Sequence, residues 1–142
     1  MIETPPTADS KGRRAENVAA LTLRFLGWQI EARRFTSGRG SGAGEVDLVA
    51  RKGPVLAFIE VKARPTTTEA LEAVTADQRQ RIARAAEGWI AKHPSDGQAQ
   101  IRFDVIAVPA SGRPLHLADA WRPEPEDNAK PRERWRGFAQ NT

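Results

Sequence analysis

The tripeptide Glu60-Val61-Lys62 closes the apolar run Val55-Leu56-Ala57-Phe58-Ile59, and that junction constrains the fold more than any other stretch. A short run rich in β-branched and aromatic residues reads as a buried β-strand. Side chains alternate along a strand, so Glu60 and Lys62 point to one face. Two charges at the end of a buried strand are unfavourable unless they have a partner or a task. Upstream, Gly44-Glu45-Val46-Asp47-Leu48-Val49 reads as a second strand, with Glu45 and Asp47 on one face. Lys52-Gly53-Pro54 between the two runs predicts a tight turn and hence a hairpin. Asp47 and Glu60 then lie at similar distances from the turn, close enough for their carboxylates to share one ion.

The residue inventory limits which ion. The chain has no cysteine and two histidines, His93 and His116. That excludes disulfides, thiolate zinc sites and cysteine nucleophiles, and leaves carboxylates and carbonyls as ligands. Such a set favours magnesium or manganese. Asp47, Glu60 and the backbone carbonyl of Val61 supply three oxygens, with water and a substrate phosphate for the rest. Lys62 is placed to orient or deprotonate a water and to stabilise a pentavalent phosphorus transition state. Twenty-two Lys plus Arg against 18 Asp plus Glu give a net charge of +4. That excess fits a nucleic-acid partner, and equally a basic protein with no such partner. The longest apolar run, Val55 to Ile59, is far short of the roughly 18 residues of a membrane span. The first residues, Met1-Ile2-Glu3-Thr4-Pro5-Pro6, lack the basic-then-apolar pattern of a signal peptide. The expectation is a cytoplasmic chain without membrane association.

Hydrophobic periodicity sets out the remaining elements. Residues 1–11 read as a disordered leader, 12–121 as one domain and 122–142 as a disordered tail. A helix over 13–26 follows from Ala15, Val18, Ala19, Thr22, Phe25 and Leu26, with Gly27 as its C-terminal cap. Strands are expected over 28–35, 45–51 and 55–63, with a glycine-rich loop over 36–44. One helical turn is expected over 69–74. Thr75 with Gln78 matches a capping box and opens the clearest helix, whose apolar stripe is Ile82, Ala85, Ala86, Trp89 and Ile90. Pro94 stops it. Strands over 101–108 and 115–120 complete an αβββαβ order with a further edge strand. The fold class is therefore α/β: a central mixed β-sheet flanked by helices.

Glu16 lies on one helical line with Ala20 and Leu23, beside the predicted stripe, and is poised to reach the sheet. The alternative is a surface glutamate paired with Arg13 or Arg14. With this acid in place the sequence resembles the PD-(D/E)XK nuclease superfamily. More closely it resembles the YraN family, bacterial proteins similar to archaeal-type Holliday junction resolvases. The resemblance runs from about Gly12 to Ala120. It rests on Ala15-Glu16, Gly44-Glu45-Val46-Asp47-Leu48-Val49, Phe58-Ile59-Glu60-Val61-Lys62-Ala63-Arg64 and Arg102-Phe103-Asp104-Val105. It implies a restriction-endonuclease-like core in which Asp47 and Glu60 are the metal-binding acids and Lys62 the catalytic lysine. Glu16 corresponds to the helix acid of the resolvase-like branch. Many relatives carry a lysine early in the second long helix where this chain has Gln78, which can cap a helix but supplies no charge. The resemblance further implies a homodimer.

Other features carry less. Gly38, Gly40, Gly42 and Gly44 precede a strand, and no Gly-Lys-Ser/Thr follows, so they are not a nucleotide-binding fingerprint. They form either a loop that admits a nucleic-acid strand or a plain connector. Arg33, Arg34, Arg39 and Arg64 are candidate phosphate contacts as a group. Trp89 and Trp28 are assigned to packing, the latter under the first helix. Asp104 is assigned to fold support, paired with Arg102. His116 is read as an edge-strand residue and His93 as a helix-end residue. Trp135 and Phe138 in the tail are candidate docking residues. The sequence thus leads to a metal-dependent endonuclease-like protein acting on DNA, branched or damaged DNA among the candidates. The alternative is a nucleic-acid-binding module on a nuclease fold without turnover.

Overall fold

The structure is a computed structural model that describes residues 8–38 and 43–124. The sequence expectations for residues 1–7, Arg39, Gly40, Gly42, Trp135 and Phe138 lie outside the described residues. The elements are α1 (Ala8–Phe25), β1 (Gln29–Phe35), β2 (Val46–Lys52), β3 (Val55–Lys62), α2 (Thr67–Glu72), α3 (Ala76–Lys92), β4 (Gln100–Ala107) and β5 (Leu115–Trp121). A 3-10 turn, Pro94–Gln98, joins α3 to β4. The five strands form one sheet in the order β1-β2-β3-β4-β5. β3 and β4 pair in parallel, and the other neighbours are antiparallel. The sheet is mixed and flanked by helices, as the residue pattern predicts, and it matches a restriction-endonuclease-like core.

Its single parallel pair requires a crossover, which α2 and α3 supply. α3 covers one face of the sheet. Ile82, Ala85, Ala86, Trp89 and Ile90, the predicted stripe, pack with Val49, Leu56, Phe58, Phe103 and Val105. α1 covers the other face, where Ala19, Ala20 and Leu23 meet Leu48, Ala50, Ala57, Ile59 and Ile106. β3 is buried on both faces, which is why its sequence reads as a continuous apolar run rather than an alternating one.

Two expectations are corrected. α1 begins at Ala8, inside the stretch assigned to the leader. Lys11 to Arg14 are exposed, so the first turns carry no apolar stripe for periodicity to detect. The buried face of α1 is also rotated. Ala15, Glu16, Ala19, Ala20 and Leu23 are buried, whereas Phe25 and Leu26, expected in the stripe, are exposed. Leu21, Phe25 and Leu26 make the last turns apolar nearly all round, and local pattern cannot choose between two adjacent lines there. Smaller shifts are that α2 starts at Thr67, capped by the Thr66 hydroxyl, and that β5 runs to Trp121.

The β1–β2 pair is irregular. Its register shifts between Ile30 and Ala32, and Arg34 has a left-handed φ of 52°. Val46 packs on the α3 side while Leu48 packs on the α1 side. Strict alternation would put both on one face. Asp47 therefore sits where β2 departs from strict alternation.

Candidate active site

The hairpin brings the two predicted acids onto facing positions. Leu48 pairs with Ile59 and Lys52 with Val55, so Asp47 and Glu60 are the next positions along the ladder. There the backbone rungs give way to side-chain ones. Val61 N–H donates to Asp47 Oδ2 at 2.8 Å, and Asp47 N–H donates to Glu60 Oε1 at 3.3 Å. Each carboxylate thus holds the opposite strand through one oxygen. Asp47 Oδ1 and Glu60 Oε2 make no hydrogen bond among the described residues. The N–H and C=O of one strand residue point to the same edge. The Val61 carbonyl therefore lies on the side where its N–H meets Asp47.

Glu60 is 5% exposed. It lies opposite Val105, and Lys62 opposite Ala107; both β4 residues belong to the α3-side core, so Glu60 and Lys62 share that face. Burial pushes the Asp47 carboxyl up to about 6, with the Val61 hydrogen bond opposing and the Glu16 charge adding to the rise. Burial and the Asp47 charge push Glu60 up to about 8, with Lys62 opposing. Two close acids in a partly dry site disfavour being ionised together. A divalent cation between them would remove that penalty, and two carboxylate oxygens with one carbonyl are donors that would suit magnesium or manganese. The residues present fit the ion inferred from the sequence.

Glu16 reaches the sheet, but its oxygens are engaged. Arg33 Nε donates to Oε1 and Arg34 Nε to Oε2, each at 3.1 Å. The left-handed φ of Arg34 turns that guanidinium toward the helix. The pairing predicted as the alternative, with Arg13 or Arg14, is replaced by pairing with β1. Among the described residues no three His, Asp or Glu side chains converge as a metal cluster. Glu16 acts on Asp47 through its charge. Gln78 is held in the capping box, where its side chain accepts from Thr75 N–H at 3.2 Å. The described ends of the glycine loop lie on α3. Gly44 N–H donates to the Arg81 carbonyl, and a Cβ at Gly44 would stand 2.8 Å from Arg81 Cβ. Arg64 is exposed, with its guanidinium on the Ala63 carbonyl.

Comparison with known proteins places these residues in a family. Residues 15–108 match the family described as "Uncharacterised protein family UPF0102". A UPF0102 protein of Paramagnetospirillum magneticum is 48% identical over 86% of this chain and 98% of its own length. Those of Parvibaculum lavamentivorans and Methylobacterium nodulans are 44% and 43% identical, over 79% and 81% of this chain and 81% and 86% of theirs. The chain belongs to the UPF0102 family. This is the YraN family that the strand motifs resemble. The UPF0102 match contains Glu16, Asp47, Glu60, Lys62 and Gln78, and it ends just past β4.

A second charged centre lies on the α1 side of this UPF0102 sheet. Asp104 is fully buried and accepts from Arg102 Nε and Nη2 at 2.8 Å each, from Asp119 N–H at 2.9 Å, and meets His116 Nε2 at 2.7 Å. These bonds hold its carboxyl below the usual carboxylate range despite burial. Arg102 lies over the Trp28 ring at 5.5 Å. The Arg102–Asp104 pair was legible from i, i+2 spacing on one strand. His116 comes from a different strand, and no local signal joins it to Asp104. Among the described residues no helix is long and apolar enough to cross a membrane.

Proposed function

We propose that this UPF0102 protein is a divalent-metal-dependent endonuclease that hydrolyses phosphodiester bonds in DNA, with branched or damaged DNA as its substrate class. The observation that carries this reading is the Asp47–Glu60 pair. A buried acid, Glu60, and a half-buried one, Asp47, stand on facing strands, each fixed through one oxygen by a backbone N–H, each with one oxygen free, beside Lys62. Asp47, Glu60 and the Val61 carbonyl would hold magnesium or manganese. When bound, the cation supplies Lewis acidity toward water and a phosphoryl oxygen. Val61 N–H fixes the rotamer of Asp47, so the site costs little reorganisation. Glu60 must release its proton before it can act as a ligand. The Lys62 ammonium lies on the Glu60 face, where it offsets negative charge that grows on the phosphoryl oxygens as water attacks phosphorus and the sugar oxygen departs. The homodimer implied by the resolvase resemblance would offer two such sites to a symmetric junction.

The test is cleavage of single-stranded, duplex, flap and four-way-junction DNA with magnesium or manganese, using Glu60→Ala as control. Metal-dependent cutting that the substitution abolishes supports the enzyme. A second reading, a DNA-binding module without turnover, is favoured by Gln78, whose neutral side chain is tied up in a cap. Its signature is salt-sensitive binding without cutting. Absence of both cutting and binding overturns both readings.

A further inference from the structure

The exposed large hydrophobic residues of the described chain are gathered in one place. Leu21, Phe25, Leu26 and Leu115 are 69%, 89%, 50% and 42% exposed. All four line a single groove of about 1210 Å3 between the end of α1 and the start of β5. Its charged lining is cationic: Arg24 and Arg113 are present, and among the described residues no Asp or Glu contributes. His116 also lines it. Buried Asp104 clamps that ring through Nε2, while Nδ1 makes no hydrogen bond among the described residues. The groove therefore offers an apolar, aromatic wall together with two guanidinium donors for anions.

The lining chemistry selects the partner. Single-stranded nucleic acid presents flat base faces and a phosphate at every step, and it binds proteins through stacking on aromatic side chains within a cationic groove. Duplex DNA hides its base faces in its own stack. A second copy packed groove to groove would set Arg24 and Arg113 against their own counterparts with no acid to answer them. Position agrees. Lys62 lies opposite Ala107, and Ala107 opposite Leu115, so the groove opens two strands, about 10 Å, from Lys62. Thr67, at the start of α2 just beyond β3, lines its edge.

We propose that this groove binds an unpaired segment of the DNA, with phosphates on Arg24 and Arg113 and bases against Phe25, Leu21 and Leu115. It rests on the reading of Asp47 and Glu60 as a DNA-cleaving centre and narrows its substrate to DNA that carries a single-stranded arm.

The test is fluorescence anisotropy with full-length protein in a metal chelator, so that no cleavage is required. The probes are an oligothymidylate of about 16 nucleotides and a blunt duplex of the same length. Phe25→Ala and Arg113→Glu alter exposed side chains, and unchanged melting verifies their folds. Phe25→Ala is expected to weaken oligothymidylate binding about tenfold, in line with the loss of one stacked base, and to leave duplex binding within about twofold. Arg113→Glu is expected to weaken oligothymidylate binding and to flatten its salt dependence. Three results overturn the proposal: no binding of the oligothymidylate, equal losses for both probes, or unchanged binding with a shift in sedimentation on Phe25→Ala. The last identifies the patch as an interface between copies. If Phe25→Ala weakens oligothymidylate binding while Glu60→Ala leaves cutting intact, the groove stands and the catalytic assignment falls.

Discussion

At Glu60 folding and ionisation oppose each other, because the strand that carries it is buried on both faces and Asp47 faces it across the hairpin. Asp47 rises to about 6 and Glu60 to about 8. Both therefore hold protons more tightly folded than unfolded. Their contribution to stability is complete below the unfolded values and is lost as pH rises through about 6 and then about 8. Denaturant titrations in chelator should show stability falling from about pH 4, where the unfolded carboxyls begin to ionise, and levelling off above about pH 8, and millimolar magnesium should restore most of the loss at the upper end. A flat profile that magnesium does not change would remove the case for a shared cation. Glu60→Gln keeps the shape and removes the charge. It should abolish metal-dependent cutting and raise unfolding free energy at pH 8.5 by about 1–2 kcal/mol, the range in which neutralising strained buried charge helps. Asp104 behaves in the opposite way, since its carboxyl is held low by Arg102, His116 and Asp119 N–H. Its contribution is present at neutral pH and is lost on acidification below the ordinary carboxylate value of 3.8. Asp104→Asn should cost about 3–5 kcal/mol in denaturant melts at pH 7, because it leaves a guanidinium without its buried partner. The i, i+2 pairs on β3 and β4 were legible in the sequence. The hydrogen bonds that fix Asp47 were not, because they depend on how two strands part at their ends.

Among the elements, α3 is the one whose start is written locally. Thr75 and Gln78 exchange hydrogen bonds with each other's backbone, as their spacing predicts. Thr75→Ala should cost about 1 kcal/mol of stability. The same cap accounts for Gln78: its side chain anchors the helix start. α3 also accepts the glycine loop through small residues. A Cβ at Gly88 would collide with Ser37 Cβ, so Gly88→Ala should destabilise the fold by about 1–3 kcal/mol. Ser37→Gly should recover much of that in a double-mutant cycle by chemical denaturation, and failure to recover it would mean that the strain lies elsewhere. No sequence pattern marks this contact, because Ser37 and Gly88 belong to segments that meet only after the crossover closes. α1 shows the converse problem. Its existence was legible, but its orientation was not, since two adjacent lines of apolar residues compete over its last turns. The line that wins carries Glu16 into the sheet and leaves Phe25 outside.

Over the whole molecule, the candidate acids and the groove share one end of the sheet, with Leu115 of the groove two strands from Lys62. Duplex DNA keeps its base faces stacked, whereas an unpaired strand can present them to the groove, so a substrate with both features is the one that engages both surfaces. Raising salt should weaken binding of such a substrate along a straight line in log affinity against log salt, with a slope set by the number of phosphates neutralised. Sequence alone determined the hairpin, the facing of Asp47 and Glu60, the Glu60–Lys62 face, the α3 stripe and its cap. Each depends on residues close in the chain, where strand alternation, helical period and turn length leave one arrangement. Tertiary structure alone decided which face of α1 is buried, that Arg33 and Arg34 claim Glu16, that His116 joins Asp104, and that Phe25 and Leu115 border one groove. Those contacts link segments far apart in sequence, and packing against the sheet, not local propensity, chooses among partners that the sequence leaves equivalent.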